Sequence, residues 1–234
     1  MSSLHPRPGA RDAVVAALVV FLVWSGIAPR SHVTWLAEVF WVIGAIVMWA
    51  VWLRRLPCTG IAFTVLVVHS VVLIIGGIYT YAHVPLGAWV QEWMARPRND
   101  YDRFGHFMQG FAPALLWREV FLRSAIVASR GWLPVIVVGM CLAFSAFFEL
   151  LEFAVAMGFG DASSDFLGAQ GDGWDAQWDM LFCFVGSIAA LFLLAPLQDR
   201  QMRAQAQQYT DIAQARDASR ERRQPVIPIQ PERR

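Results

Sequence analysis

The sequence predicts an all-α, polytopic membrane protein with six transmembrane helices and both termini on the cytoplasmic side. Three observations point there. Hydrophobic residues make up 57% of the 234 and charged residues only 16%, against about 25% charged in a soluble domain. The apolar residues gather in stretches close to the roughly 20 residues a helix needs to cross a bilayer core. None of the stretches shows the period-two alternation of a membrane barrel, so helices are the spanning form that satisfies its own backbone.

The spans follow in order. Residues 13–28 are short but uncharged. Arg7 and Arg11 precede them, as in a secretory signal, but Pro29 directly after the candidate cleavage point at Ala28 disfavours processing, so this is a retained helix. Residues 33–53 are interrupted only by Glu38, and residues 60–81 by His69, which suits a helix–helix hydrogen bond. Residues 104–122 are the least hydrophobic and contain His106, Gln109, Arg118 and Glu119. Arg123, four residues after Glu119, predicts a structural ion pair. Residues 132–157 carry Glu149 and Glu152, and residues 175–197 begin with Asp175 and Asp179. Between the third and fourth spans, Trp89 and Trp93 predict an interfacial helix over 84–94.

Arginine placement sets the orientation. With the N-terminus inside, the inner segments hold Arg7 and Arg11, Arg54 and Arg55, Arg123 and Arg130, and eight arginines in residues 198–234. The outer loops hold Arg30, Arg96, Arg98 and Arg103. Residues 198–234 form a cytoplasmic, arginine-rich and partly disordered tail attracted to anionic lipid. Residues 199–221 suit a surface helix, and Pro225, Pro228 and Pro231 then stop regular structure.

Composition also excludes functions. A net charge of +1 argues against nucleic acid as a partner. The absence of lysine rules out a lysine Schiff base or a P-loop lysine. Cys58, Cys141 and Cys183 are far apart and read as buried, small apolar side chains.

Ionisable residues inside a membrane are costly and mark function by default, and here they converge. Asp102, His106 and Gln109 are spaced i, i+4, i+7 at the outer end of the fourth span, with Asn99 or Asp100 as its cap. Glu149 and Glu152 share a face in the outer half of the fifth. Asp172, Asp175 and Asp179, spaced i, i+3, i+7, open the sixth, with Gln170 and Gln177 close by. Glu38 enters from the same side and can extend the set. Pro113 is placed to kink the fourth span and open room beside His106. These carboxylates cannot all stay ionised together in a low dielectric. Protonation, arginine (Arg96, Arg98, Arg103) or a divalent metal ion must neutralise them. Oxygen ligands with a neutral imidazole suit Mg²⁺, Mn²⁺, Ca²⁺ or Zn²⁺, so His106, Glu149, Glu152, Asp175 and Asp179 are the candidate metal ligands.

Three runs carry a family resemblance: Tyr101–Gly110, Phe148–Glu152 and, most specifically, G-A-Q-G-D-G-W-D-A-Q-W-D over 168–179. Across about residues 12–197 the chain resembles the YjdF-like bacterial inner-membrane family, a domain of unknown function. The resemblance implies a bacterial inner-membrane location and an uncharacterised activity. A weaker likeness links Asp102-Arg103-x-x-His106, Glu149-x-x-Glu152 and Asp175-x-x-x-Asp179 to VanZ-like proteins. In that family the last residue of the second motif is glutamine and of the third asparagine, so Glu152 and Asp179 both add negative charge.

The expected function is that of an integral inner-membrane protein with an acidic and histidine site near the outer face. The expected chemistry is metal-dependent hydrolysis or group transfer on a lipid or lipid-linked phosphate. Asp102, His106, Glu149, Glu152, Asp172, Asp175 and Asp179 supply ligands and acid–base groups. Arg103, Gln109, Gln170 and Gln177 hold the substrate. The alternatives are a cation- or proton-binding transporter and a structural membrane protein.

Overall fold

The computed structural model describes residues 8–51, 58–127, 129–159 and 169–221. Arg7, Arg54, Arg55, Gly168, Pro225, Pro228 and Pro231 lie outside the described residues. Within them the chain forms α1 (Pro8–Ser25), α2 (His32–Val51), α3 (Gly60–Tyr79), α4 (Pro85–Trp93), α5 (Tyr101–Ser124), α6 (Leu133–Phe159) and α7 (Asp175–Glu221), with no strand among the described residues.

Four of these helices, α2, α3, α6 and α7, are long and apolar enough to cross a membrane. The sequence predicts six. α1 opens on Arg11 and Asp12, which shortens its apolar run. α5, at 24 residues, is long enough but polar. Its Asp102, Arg103, His106, Gln109 and Glu119 are buried among other helices instead of facing lipid. α5 is therefore the inner helix, and α3, α6 and α7 pack around it. Pro113 sits inside α5 without ending it.

The closest approach is between α5 and α7, and two glycines permit it. A Cβ on Gly110 would meet the Cys183 carbonyl oxygen at 1.9 Å, and one on Gly186 would meet the Phe107 carbonyl oxygen at 2.0 Å. Small residues at such contacts let membrane helices pack backbone to backbone. Gly186→Ala is expected to cost about 2 kcal/mol or more, because the obstacle is main chain and cannot rotate aside. Thermal unfolding of the detergent-purified variant checks this.

The chain alternates between two ends of the bundle. At one end α3 stops on Thr80, whose left-handed backbone returns its N–H to the Gly76 carbonyl. Asn99, fully buried, then ties three segments together. Its side-chain amide donates to the Ala82 and Val84 carbonyls, and its Oδ1 accepts the Tyr101 N–H at the start of α5. Its backbone N–H and carbonyl both bond the Gln170 side chain. The expected capping of α5 is thus supplied by Asn99, while the Asp100 side chain makes no capping bond. α4 falls within the stretch where the tryptophans suggest a helix, and Trp89 and Trp93 are exposed.

At the other end a second polar network is closed. Glu119 accepts the Thr59 N–H and hydroxyl, capping α3 from a neighbouring helix, and also the Gln198 amide and the Arg123 guanidinium. The ion pair expected between Glu119 and Arg123 is present, at 2.7 Å. α7 does not stop at Leu197, where its apolar stretch ends. It continues to Glu221 because the next residues are good helix formers and because three glutamines dock it. Gln198 donates to the Leu115 carbonyl, Gln201 accepts the Ile61 N–H, and Gln205 donates to the Cys58 carbonyl. Between the two ends lies an apolar layer in which Ala112, Leu115, Cys141 and Cys183 have no exposed surface. The three cysteines are free and buried, as expected.

Candidate functional site

The helical spacing on α5 brings Asp102, His106 and Gln109 to one buried face. α7 begins at Asp175, so Asp175 and Asp179 stand one turn apart, and both are buried. α6 contributes Glu149, with 11% of its side chain exposed, and the buried Glu152. Asp102, His106 and Asp179 each offer one ligand atom, and these atoms lie within 4.8 Å of one another. His106 Nε2 is 3.7 Å from Asp102 Oδ1 and 3.6 Å from Glu149 Oε1. Its ring stands edge-on to Phe148 with centroids 5.7 Å apart. Glu152 lies in the field of Asp102, Glu149, Glu38 and Asp179. Asp179 Oδ1 and Glu149 Oε1 are buried without a hydrogen-bond partner.

The remaining acids are neutralised by arginine. Arg98 hydrogen-bonds Asp175 and lies 3.7 Å from Asp172. Arg103 bonds Asp172 at 2.7 Å and Asp100 at 3.3 Å, and its guanidinium covers the Trp178 ring at 5.4 Å. Arg96 pairs with Asp100 at the surface. Asp172 also accepts the Trp174 N–H, organising the turn that leads into α7. Gln170 is spent on Asn99, and Gln177 is exposed. The set expected from sequence therefore divides. Asp102, His106, Glu149, Glu152 and Asp179 form the buried acidic centre. Asp172 and Asp175 form ion pairs with Arg103 and Arg98 beside it.

A chamber opens next to this centre, lined by Glu38, Trp41, His69, Tyr81, Asp102, His106 and Gln109 together with Leu73, Phe144 and Phe148. It gives a water molecule's centre about 20 Å³ to occupy, room for one or two waters or an ion. Glu38 Oε2, Trp41 Nε1, His69 Nδ1, His106 Nδ1 and Gln109 Oε1 are all buried there without a partner. Glu38 faces the Tyr81 hydroxyl, and His69 meets the backbone of Met108 on α5. Glu38 extends the site as its sequence position suggests. Trp41 and Tyr81 carry no such signal, because membrane helices abound in aromatic residues that only anchor or pack.

Fold and site together define an all-helical integral membrane protein with a buried acidic and histidine centre. The comparisons with known proteins agree with that class. The family described as Predicted membrane protein (DUF2238) matches residues 11–200, and the chain belongs to it. The chain is similar to "Inner membrane protein YjdF" of Escherichia coli (strain K12), with 41% identity over 197 residues, covering 84% of this chain and 94% of that protein. No solved structure matches the chain.

Proposed function

We propose that this inner-membrane protein binds a divalent cation between Asp102, His106 and Asp179 and uses it for hydrolysis or group transfer on a lipid-borne substrate. The convergence of those three ligand atoms within 4.8 Å, on two helices locked together by glycine contacts, carries this reading. A common centre for three atoms within 4.8 Å of one another lies no more than about 2.8 Å from each, close to the roughly 2.3–2.6 Å of calcium bonds, while the roughly 2.0–2.2 Å bonds of zinc or magnesium need the larger contraction. A bound ion would relieve the mutual repulsion of the carboxylates and supply Lewis-acid activation of an oxygen. Glu149, within 3.6 Å of the imidazole, is placed as a general base, with Glu152 three residues further along α6 as a second acid–base group. Asp175 and Arg103 serve the site as a bound ion pair and a bound clamp, not as ligand and substrate grip.

In the bilayer we place six spans with the termini inside, following the arginine distribution. α1 and α5 then cross with the four apolar helices, and the acidic centre faces the outer leaflet. A cation or proton transporter is the second reading, favoured by His69, which carries the chamber's polar lining to the middle of α3. Against it stands the apolar layer around Ala112 and Leu115. From Gln109 to Glu119 that layer is about 15 Å deep, at roughly 1.5 Å per residue.

Manganese titration of the purified protein by calorimetry tests the reading. One site per chain is expected. His106→Ala and Asp179→Asn should each weaken binding by roughly 100-fold, since loss of even an indirect support of a metal site costs about 10–100-fold. Identical weak binding by all three proteins would refute it.

A further inference from the structure

We propose that the seam between α2 and α6 is a lateral entrance from the bilayer, through which a lipid inserts a small hydroxyl or amino group into the chamber. Trp41 is both the gate and a hydrogen-bond donor to that group. The inference deepens the proposed function by naming the substrate's reacting end, and it rests on that reading only for the ion beside the chamber.

The seam is closed by side chains alone. α2 is packed on α3 and lightly on α1, and its backbone scarcely approaches that of α6. What spans the gap is the Trp41 ring, edge-on to Phe144 at 4.5 Å and near Phe147 and Phe148 at 6.1 and 6.3 Å. A closure of this kind opens by rotamer changes, without displacing a helix. Outside it, Phe40 and Phe147 are 58% and 54% exposed on two helices apolar enough to span a membrane, so lipid chains lie against them.

Directly behind the gate the polar atoms lack partners. Trp41 Nε1 is a buried donor, and Glu38 Oε2 and Gln109 Oε1 are buried acceptors. Glu38 and Gln109 are only 3% and 6% exposed, and both line the chamber. Buried polar groups without partners are costly, and a ligand that pairs them recovers that cost. Two acceptors and one donor match a hydroxyl or an amine. They offer a phosphate no guanidinium, because Arg103 lies outside the chamber lining and is bound to Asp172. The room available, about 20 Å³, admits one such group and no headgroup larger than it. The rest of the lipid must stay outside, along α2 and α6.

The test uses the full chain in phosphatidylcholine vesicles, whose headgroup has neither N–H nor O–H. The probes are a diacylglycerol with a diazirine on its acyl chain and the same molecule with its hydroxyl acetylated. Mapped by mass spectrometry, labelling around Trp41 and Phe144–Phe148 should favour the free hydroxyl by about fivefold, the worth of one net hydrogen bond. Gln109→Leu, which removes one of the two acceptors open to the O–H, should reduce that preference, and Trp41→Phe, which keeps the aromatic plug and removes the N–H, should lower labelling by the free hydroxyl. Phe192→Ala, on the exposed face of α7, should leave it intact. Equal labelling by the two probes, or labelling spread evenly over α7, would overturn the proposal. Manganese affinity of the same preparations reads the ion centre separately. Equal labelling with manganese still bound defeats the entrance alone, whereas a preserved preference without manganese binding supports the entrance and defeats the metal reading.

Discussion

Glu119→Ala is expected to destabilise the protein by about 3–5 kcal/mol, the cost of removing one partner from a buried, paired charge. The side chain is 3% exposed and accepts hydrogen bonds from Thr59, Gln198 and Arg123. Its loss leaves the N–H and hydroxyl of Thr59, the residue that leads into α3, without their acceptor, the Gln198 amide short of one acceptor and a guanidinium without its charge partner. Glu119→Gln, which retains an acceptor, should lose less. Denaturant or thermal unfolding in detergent measures both. Manganese affinity below the unfolding temperature should not change, because the apolar layer separates this network from the acidic centre.

Asn99→Ala is expected to act at both levels. Its side chain makes three hydrogen bonds to buried backbone at the junction of the α3–α4 turn and the start of α5. At roughly 1 kcal/mol net each, and more where a buried group stays unsatisfied, the loss is about 3 kcal/mol. Asp102 lies three residues further on and takes its position from that junction. Manganese binding should therefore weaken together with stability, unlike in Glu119→Ala. Asn99→Asp, which keeps Oδ1 for the Tyr101 N–H but loses the amide donor, should fall between wild type and Asn99→Ala in both measurements.

The contrast between these residues also explains what the sequence reveals. Apolar runs fix the helices because a span must be continuous, and α2, α3 and α6 fall within a few residues of the stretches read from sequence. The meeting of Asp102, His106, Glu149, Glu152 and Asp179 is legible because helical spacing puts each group on one face and alternation of direction puts the faces at one end. Pairing within that set is not legible. Asp175 and Asp179 look alike in sequence, yet the fold gives Asp175 to Arg98, 77 residues away, and leaves Asp179 Oδ1 unpaired. Glu119 illustrates the same limit. Its ion pair with Arg123 is local and readable, whereas its capping of Thr59 spans 60 residues and depends on how α3 meets α5. Trp41 is similar: only the contact between α2 and α6 distinguishes it from the other tryptophans.

The central claim is that one imidazole and two carboxylates from α5 and α7 hold a single cation. Electron spin-echo spectroscopy of the manganese-loaded protein tests it most directly, because it detects nitrogen bonded to the metal. The account predicts modulation from one imidazole nitrogen in the wild type and none in His106→Ala. A manganese signal with oxygen ligands only in the wild type, or nitrogen modulation that survives His106→Ala, would contradict it.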